Sequence, residues 1–389
     1  MTTIAESKSL SPLGSLTLLT VAALTIMVGC VIVPGLPAVA ANLGIETSAS
    51  WLVTLPSLGV VVFGPLAARL MEKMGLRRAL MLGLFMYGLL GGAGVLLRGT
   101  WLIFADRLLL GGATAVVMAA GTGLISEFYQ GHARLAMIAK QGMSIELGGV
   151  IFLFIGGLLA MQGWSYPFAL YFIAWILLAF VKLTIPKAAE VPPNVHVAST
   201  SVGLSPALKT TFVAAALSMV VFFTGIIILP GKLMDNGFDE AKTGYFLSFI
   251  SLVAIGGAAL LPAISKRIGE RGVLVIAMLA YAVAHICFVC SFIPALVVGA
   301  VMQGLGFGLC VPLVNHLTIE HSTDRSRGRN LAYLSMAIFS GQFLSSFMEF
   351  VPGNSSTIFM TAAMMSLFSA AAFAVHMKAG QKPTSKYSN

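Results

Sequence analysis

The chain has 389 residues, of which 58% are hydrophobic and only 10% charged, and its mean hydropathy is +0.95. A soluble globular protein carries about 25% charged residues, so that class is excluded, and apolar runs that are continuous and not alternating exclude a porin-type barrel. The net charge of +9 could suit nucleic acid, but the basic residues are scattered in short segments between apolar runs, so no nucleic-acid partner is expected.

Runs of about twenty apolar residues match a hydrocarbon core about 30 Å thick. Twelve spans are expected, at roughly 15–38, 50–68, 78–97, 101–125, 135–160, 166–185, 209–229, 243–264, 273–292, 294–318, 331–351 and 356–376. The first run is too long for a signal-peptide core and reads as a retained helix, closed by Pro34-Gly35-Leu36-Pro37. Arg98-Gly99-Thr100 separates the third span from the fourth, and Pro352-Gly353-Asn354 the eleventh from the twelfth.

Between the second and third spans stands the charged stretch Ala68-Arg69-Leu70-Met71-Glu72-Lys73-Met74-Gly75-Leu76-Arg77-Arg78, read as a loop. A weaker echo, Pro262-Ala263-Ile264-Ser265-Lys266-Arg267-Ile268-Gly269-Glu270-Arg271, follows about 194 residues later. Arg134-Leu135-Ala136 at the start of span five matches Arg329-Asn330-Leu331 at the start of span eleven, and Glu127 and Glu320 take similar places at the ends of spans four and ten. A repeat of membrane helices points to a transporter. The expected organisation is an amino-terminal tail over 1–14, six-helix bundles over 15–185 and 209–376, a flexible linker over 186–208 rich in Pro, Ser and Thr, and a tail over 377–389. With the amino terminus in the cytoplasm, nineteen Lys and Arg fall on the inner side and three (Arg98, Lys232, Lys242) on the outer. The positive-inside rule therefore expects both termini in the cytoplasm, with basic loops facing an anionic leaflet.

Few ionisable residues fall inside spans, where each costs about 2.5–3.5 kcal/mol on insertion scales and is a functional candidate for that reason. Glu146, mid-way along span five, is the main one; Arg107 in span four is expected at a similar depth and could meet it in a central cavity. Asp106 adjoins Arg107 but points about 100° away around the helix. Gln141, Ser144 and Gln342 could extend the polar patch, and Gly341 is the repeat counterpart of Glu146. A carboxyl that alternates between wet and dry, or paired and unpaired, surroundings takes up and releases a proton, because burial and a facing Arg shift its pKa in opposite directions. The alternative is a fixed Glu–Arg pair that pins two helices. His316, beside Asn315 in span ten, is a second titrating candidate; Glu349 reads as a residue at the outer lip and His285 as a packed core histidine. Phe222, Phe223, Phe246 and Phe249 could line an apolar pocket or simply face lipid. The cysteines Cys30, Cys287, Cys290 and Cys310 all lie in apolar runs without a second ligand pair and read as free thiols. No cofactor and no metal site is expected. A membrane-embedded enzyme is disfavoured because no His-Glu-x-x-His and no paired intramembrane aspartates occur, and the short loops leave no room for a receptor domain.

On these residues the chain resembles the major facilitator superfamily, and within it the 12-helix drug:proton antiporter branch. That family's loop between helices 2 and 3 reads Gly-x-Leu-x-Asp-Arg-x-Gly-Arg-Arg; here Ala68, Leu70, Glu72, Lys73, Gly75, Leu76 and Arg77 stand at the matching positions, followed by Arg78. The resemblance implies that Glu72, Lys73, Gly75, Arg77, Arg78, Glu127 and Arg134 gate the inner side. Arg107-Leu108-Leu109-Leu110-Gly111 is similar to the helix-4 motif Arg-x-x-x-Gly, and Gly148 with Gly156-Gly157 to the helix-5 antiporter motif, although Phe152 and Leu153 replace its Gly-Pro. It implies an all-α membrane protein with two pseudo-symmetric six-helix bundles, a bacterial inner-membrane transporter that works as a monomer. The expected activity is proton-driven export of small amphipathic or aromatic compounds. Glu146 and His316 would carry protons, and Arg107, Gln141, Asn315, Gln342, Phe223 and Phe246 would line the substrate site. Siderophore or metabolite export and proton-coupled uptake are the alternatives.

Overall fold

The structure, a computed structural model, describes residues 10–186, 204–323 and 326–379. Residues 1–9 of the expected amino-terminal tail, 187–203 of the expected linker and 380–389 of the expected carboxyl-terminal tail lie outside the described residues. The described chain is helical throughout: α1 Pro12–Cys30, α2 Leu36–Leu43, α3 Trp51–Met74, α4 Leu76–Ala93, α5 Thr100–Phe128, α6 Gly131–Gln162, α7 Ile173–Thr184, α8 Pro206–Asp235, α9 Glu240–Val289, α10 Ile293–Glu320, α11 Arg327–Leu344 and α12 Ser355–Ala379.

Ten of these segments are long and apolar enough to cross a membrane. The count becomes twelve once α4, with its two arginines in the first turn, is included and the fifty-residue α9 is divided at Gly269, where the backbone leaves helical geometry. Outward faces are apolar. Trp101 is 85% exposed, Leu183 80% and Phe368 78%, and a surface of that kind is stable only against lipid tails.

Both charged stretches differ from the expected loops. Ala, Arg, Leu, Met, Glu and Lys are strong helix formers, so α3 runs on to Met74 and the loop shrinks to Gly75, with φ 80° and ψ 155°. The echo behaves alike: α9 is interrupted only at Gly269, with φ 74° and ψ 160°. That region is essentially restricted to glycine. Gly75→Ala and Gly269→Ala should each therefore lower stability by about 1–3 kcal/mol, measured as thermal unfolding of the detergent-solubilised protein.

The first span also differs from its expected end. Pro34-Gly35-Leu36-Pro37 interrupts it and does not close it: after a 3-10 turn at Val33–Gly35 the chain resumes as α2. Proline is well suited to the first turn of a helix, so Pro37 starts α2, and Gly44 in the left-handed region ends it.

Two compact units form. Among the described residues one comprises those up to Pro186 with Ile226–Ser251 and Gln342–Glu349; the other comprises Leu204 to Gly225, Leu252–Gly341 and those from Phe350. Inside the first, α3 crosses α5 so closely that a Cβ on Gly111 would overlap the Pro56 carbonyl, and one on Gly59 the Leu108 carbonyl. Inside the second, a Cβ on Gly308 would overlap the Ala254 carbonyl. Gly148 presses on Ala23 in the first unit, and Gly341 presses on Ala216 in the second. The sequence repeat is thus a repeat of helix crossings, as glycine permits in lipid.

Candidate functional site

α1 is interrupted after Cys30. Pro34 has no N–H, so it cannot supply the helical hydrogen bond to the Cys30 carbonyl four residues earlier. Further back in α1, Tyr87 Oη donates to the Leu24 carbonyl at 2.7 Å and Tyr171 Oη to the Val28 carbonyl at 2.8 Å. Irregular backbone at membrane depth is tolerated where protein or a cavity surrounds it.

Glu146 lies lower on α6 than the residues that pack on this interruption: Gly148 meets Ala23, whereas Gly156 meets Val31 and Ala160 meets Gly35. Glu146 lies at mid-length of α6, about 22 Å along the helix from its start. Gly148, two residues further, lets α6 approach Ala23, with an ideal Cβ only 2.8 Å from the alanine methyl. The carboxyl is half-buried and near enough to Cys30 to act on it electrostatically. Among the described residues it has no ion-pair partner within 4.0 Å. Buried Gln342 reaches the preceding residue of α1, its Nε2 4.0 Å from an ideal Cβ on Gly29. The first turns of α9 add hydroxyls: Ser248 Oγ donates to the Val150 carbonyl at 3.0 Å, and Ser251 Oγ is 3.7 Å from an ideal Cβ on Gly149. Ser248 and Ser251, three apart on one helical face, and the polar spot at Cys30 were missed by a search for charges. The helix-breaking Pro34 was the available signal.

Arg107 is not part of this group, and the expected meeting with Glu146 does not occur. Its guanidinium is 1% exposed and is clasped by its own neighbour: Nη2 to Asp106 Oδ2 is 2.8 Å and Nε to the same oxygen 3.1 Å. Nη2 also reaches the Leu90 and Gly91 carbonyls in the last turn of α4, at 3.4 and 3.5 Å. Phe168 and Tyr171 lie against it at 5.6 Å each. Adjacent residues point apart at Cβ, but the long Arg stem folds back to the carboxylate, which corrects the 100° argument. A cation at a helix carboxyl end, over two aromatic faces and beside a carboxylate, is stabilised three ways. Its position makes it a structural cap on α4.

Other expected site residues separate. Gln141 is buried and its Nε2 donates to Thr122 Oγ1 at 2.9 Å, so its amide joins α6 to α5. Asn315 Nδ2 turns back to its own helix at the Val311 carbonyl, 2.9 Å. Phe223 is buried beside Phe222, which packs on Phe307 at 4.1 Å in the second unit. Phe246 is buried edge-on against Phe238 in the first. His316 lies one turn before the end of α10, is 60% exposed, and bonds Glu270 Oε1 at 2.8 Å.

In the expected gate, Arg77 is engaged: Nε and Nη2 donate to the Ile185 and Lys182 carbonyls at 2.8 and 2.9 Å, closing the carboxyl end of α7. Glu72, Lys73, Arg78, Glu127 and Arg134 are exposed and, among the described residues, form no ion pair. At the opposite end of α3 the contacts are dense. Trp51 stacks on Phe104 at 5.4 Å and meets Phe343 and Phe347 edge-on at 6.0 and 6.1 Å. Ser50 Oγ donates to the Glu349 carboxylate, which sits at the α3 amino terminus where a negative charge is favoured.

Spanning helices, one of them interrupted and another carrying a half-buried acid at mid-length, define a polytopic membrane protein built like a secondary transporter. The sequence matches the Major Facilitator Superfamily over residues 17–346 and again over 211–386, the second match starting one repeat length after the first. The chain belongs to the Major Facilitator Superfamily: it is a multi-pass membrane transporter of small molecules and not an enzyme. It is 25% identical over 306 residues to a 2-nitroimidazole transporter of Escherichia coli (76% of this chain, 75% of that one). It is 24% identical over 300 residues to the class D tetracycline resistance protein of Salmonella ordonez (72% and 73%), and 23% identical over 304 residues to the uncharacterized transporter YycB of Bacillus subtilis (75% and 73%). The peptide transporter POT superimposes with a TM-score of 0.78 at 15% identity, covering 97% of this chain and 98% of the other. An inward-open structure of the xylose transporter XylE from E. coli superimposes at 0.72 and 15%, covering 96% and 97%. These likenesses show the fold.

Proposed function

We propose that this transporter exports small aromatic or amphipathic compounds in exchange for protons, with Glu146 as the proton-exchanging group. The observation that carries the reading is an unpaired, half-buried carboxyl at mid-length of α6, on the stretch of that helix that packs along α1. Water access favours the ionised form of a carboxyl and apolar burial the neutral form, so alternating access at Glu146 converts proton uptake on one side into release on the other. Gln342, Ser248 and Ser251 supply neutral hydrogen-bonding groups, which suits an uncharged or weakly polar ring compound better than a strongly anionic one. With Arg107 committed to Asp106, no free cation stands near Glu146 among the described residues, which disfavours a siderophore or other anionic metabolite. The 2-nitroimidazole transporter and the tetracycline resistance protein, by their names, both handle small ring compounds.

The two six-helix halves would rock about this point, with the Gly75 turn gating the cytoplasmic side and the Trp51 cluster the outer side. The protein would act as a monomer in a bacterial inner membrane with both termini in the cytoplasm. Proton-coupled uptake is the second reading, favoured by Phe152 and Leu153 at the Gly-Pro positions of the antiporter motif. Cells expressing the protein and loaded with a fluorescent aromatic dye or a 2-nitroimidazole separate the two. Export predicts lower accumulation that a protonophore restores to the level of control cells; higher accumulation, abolished by the protonophore, establishes uptake.

A further inference from the structure

The second unit holds a cluster that the transport reading does not use. His316 and Glu320 lie one turn apart at the end of α10, and Glu270 follows the Gly269 turn of α9. His316 Nε2 is 2.8 Å from Glu270 Oε1 and 3.8 Å from Glu320 Oε2, and the three donor atoms all fall within 4.8 Å of one another.

The first copy of the repeat has the same corner with different chemistry. Gly75 has the backbone geometry of Gly269. Leu76, the next residue, packs on Gly123 of α5, its Cδ2 2.8 Å from an ideal Cβ there. Glu127, one turn on, ends that helix as Glu320 ends α10. Leu76, Gly123 and Glu127 thus stand where Glu270, His316 and Glu320 stand in the second copy. An apolar side chain over a glycine suffices to pack this corner, so packing does not require the imidazole and second carboxylate of the second copy.

We propose that Glu270, His316 and Glu320 form a binding site for a divalent transition metal ion of the Zn2+ class, tying the end of α10 to the segment after Gly269. Imidazole nitrogen and carboxylate oxygen are the donors such ions take, at about 2.0–2.2 Å. Donors sharing one tetrahedral ion then lie about 3.4 Å apart, a spacing that 2.8 and 3.8 Å straddle, so small side-chain rotations close the site. Two carboxylates and a neutral imidazole carry the charge that a dication neutralises, and the carboxyl end of α10 adds a favourable field. The side chains are 60%, 30% and 55% exposed, which leaves the ion a path from water and a free coordination position. Mg2+ and Ca2+, which prefer all-oxygen sites, are excluded by the imidazole.

The full chain, purified in detergent with any affinity tag removed, is equilibrated with Zn2+, and bound metal and thermal unfolding are both measured. The wild type is expected to hold one Zn2+ more than His316→Ala and to melt at a higher temperature with Zn2+ than without. Glu320→Gln should weaken binding by more than the ~10-fold that changes outside the ligand shell already cause. The double variant Glu270→Leu/His316→Gly, which installs the pair of the first copy, should fold and show no Zn2+-dependent rise in melting temperature. Equal Zn2+ uptake and an equal melting shift in the wild type and His316→Ala would overturn the proposal, as would an excess of Mg2+ displacing the bound Zn2+.

Discussion

An Asp106→Ala variant should lose about 3–5 kcal/mol of stability, the range for breaking a buried ion pair by removing one partner. Asp106 and Arg107 are 6% and 1% exposed, so the arginine left behind cannot turn to water. It would keep long hydrogen bonds to the Leu90 and Gly91 carbonyls and its two aromatic neighbours, none of which supplies a compensating charge. Gly94 makes room for the guanidinium: any Cβ there would collide with Nη2. Removing both charges should be milder than removing one, because replacing a buried pair by apolar side chains of similar volume is often neutral. Asp106→Ala/Arg107→Met is therefore expected to recover much of the loss. Thermal unfolding in detergent compares the three proteins. A single variant within about 0.5 kcal/mol of the wild type, the range of an ordinary surface substitution, would show that the pair is not desolvated as described.

This pair also shows where sequence reasoning runs out. Neighbouring Cβ atoms diverge on a helix, and that argument separated Asp106 from Arg107; it neglects a stem long enough to fold back when the only alternative is an apolar interior. The partner of His316 was hidden for another reason: a span end placed by hydropathy at residue 318 leaves open which side chains meet there, and Glu270, far away in sequence, takes the imidazole. Pro34 and Pro37 read equally well as the end of a helix or the start of another, and the structure has both: a 3-10 turn at Val33–Gly35 and then α2. What was legible rests on strong local rules: apolar length for the spans, glycine for the turns at residues 75 and 269, and a charge pattern repeated at a constant offset. Strong helix formers on both sides of those glycines explain why the expected loops are nearly absent.

The larger functional effect is expected at Glu146. Glu146→Gln keeps the size and most of the hydrogen-bonding capacity of the side chain but cannot exchange a proton, so flux driven by a pH gradient should fall to the level of protein-free vesicles. Counterflow, in which labelled substrate exchanges for unlabelled substrate without a gradient, should persist, because binding and rocking use the remaining groups. Glu146→Asp retains a titratable carboxyl, one methylene shorter, and should retain part of the driven flux. A fold lesion would remove counterflow and driven flux together, which separates misfolding from uncoupling.

The deciding measurement is therefore transport of a 2-nitroimidazole or an aromatic dye into proteoliposomes with an imposed pH gradient, for the wild type and Glu146→Gln side by side. Gradient-driven flux in the wild type, with counterflow alone in the variant, is the predicted result. Equal driven flux in both proteins would contradict it and remove Glu146 from the coupling.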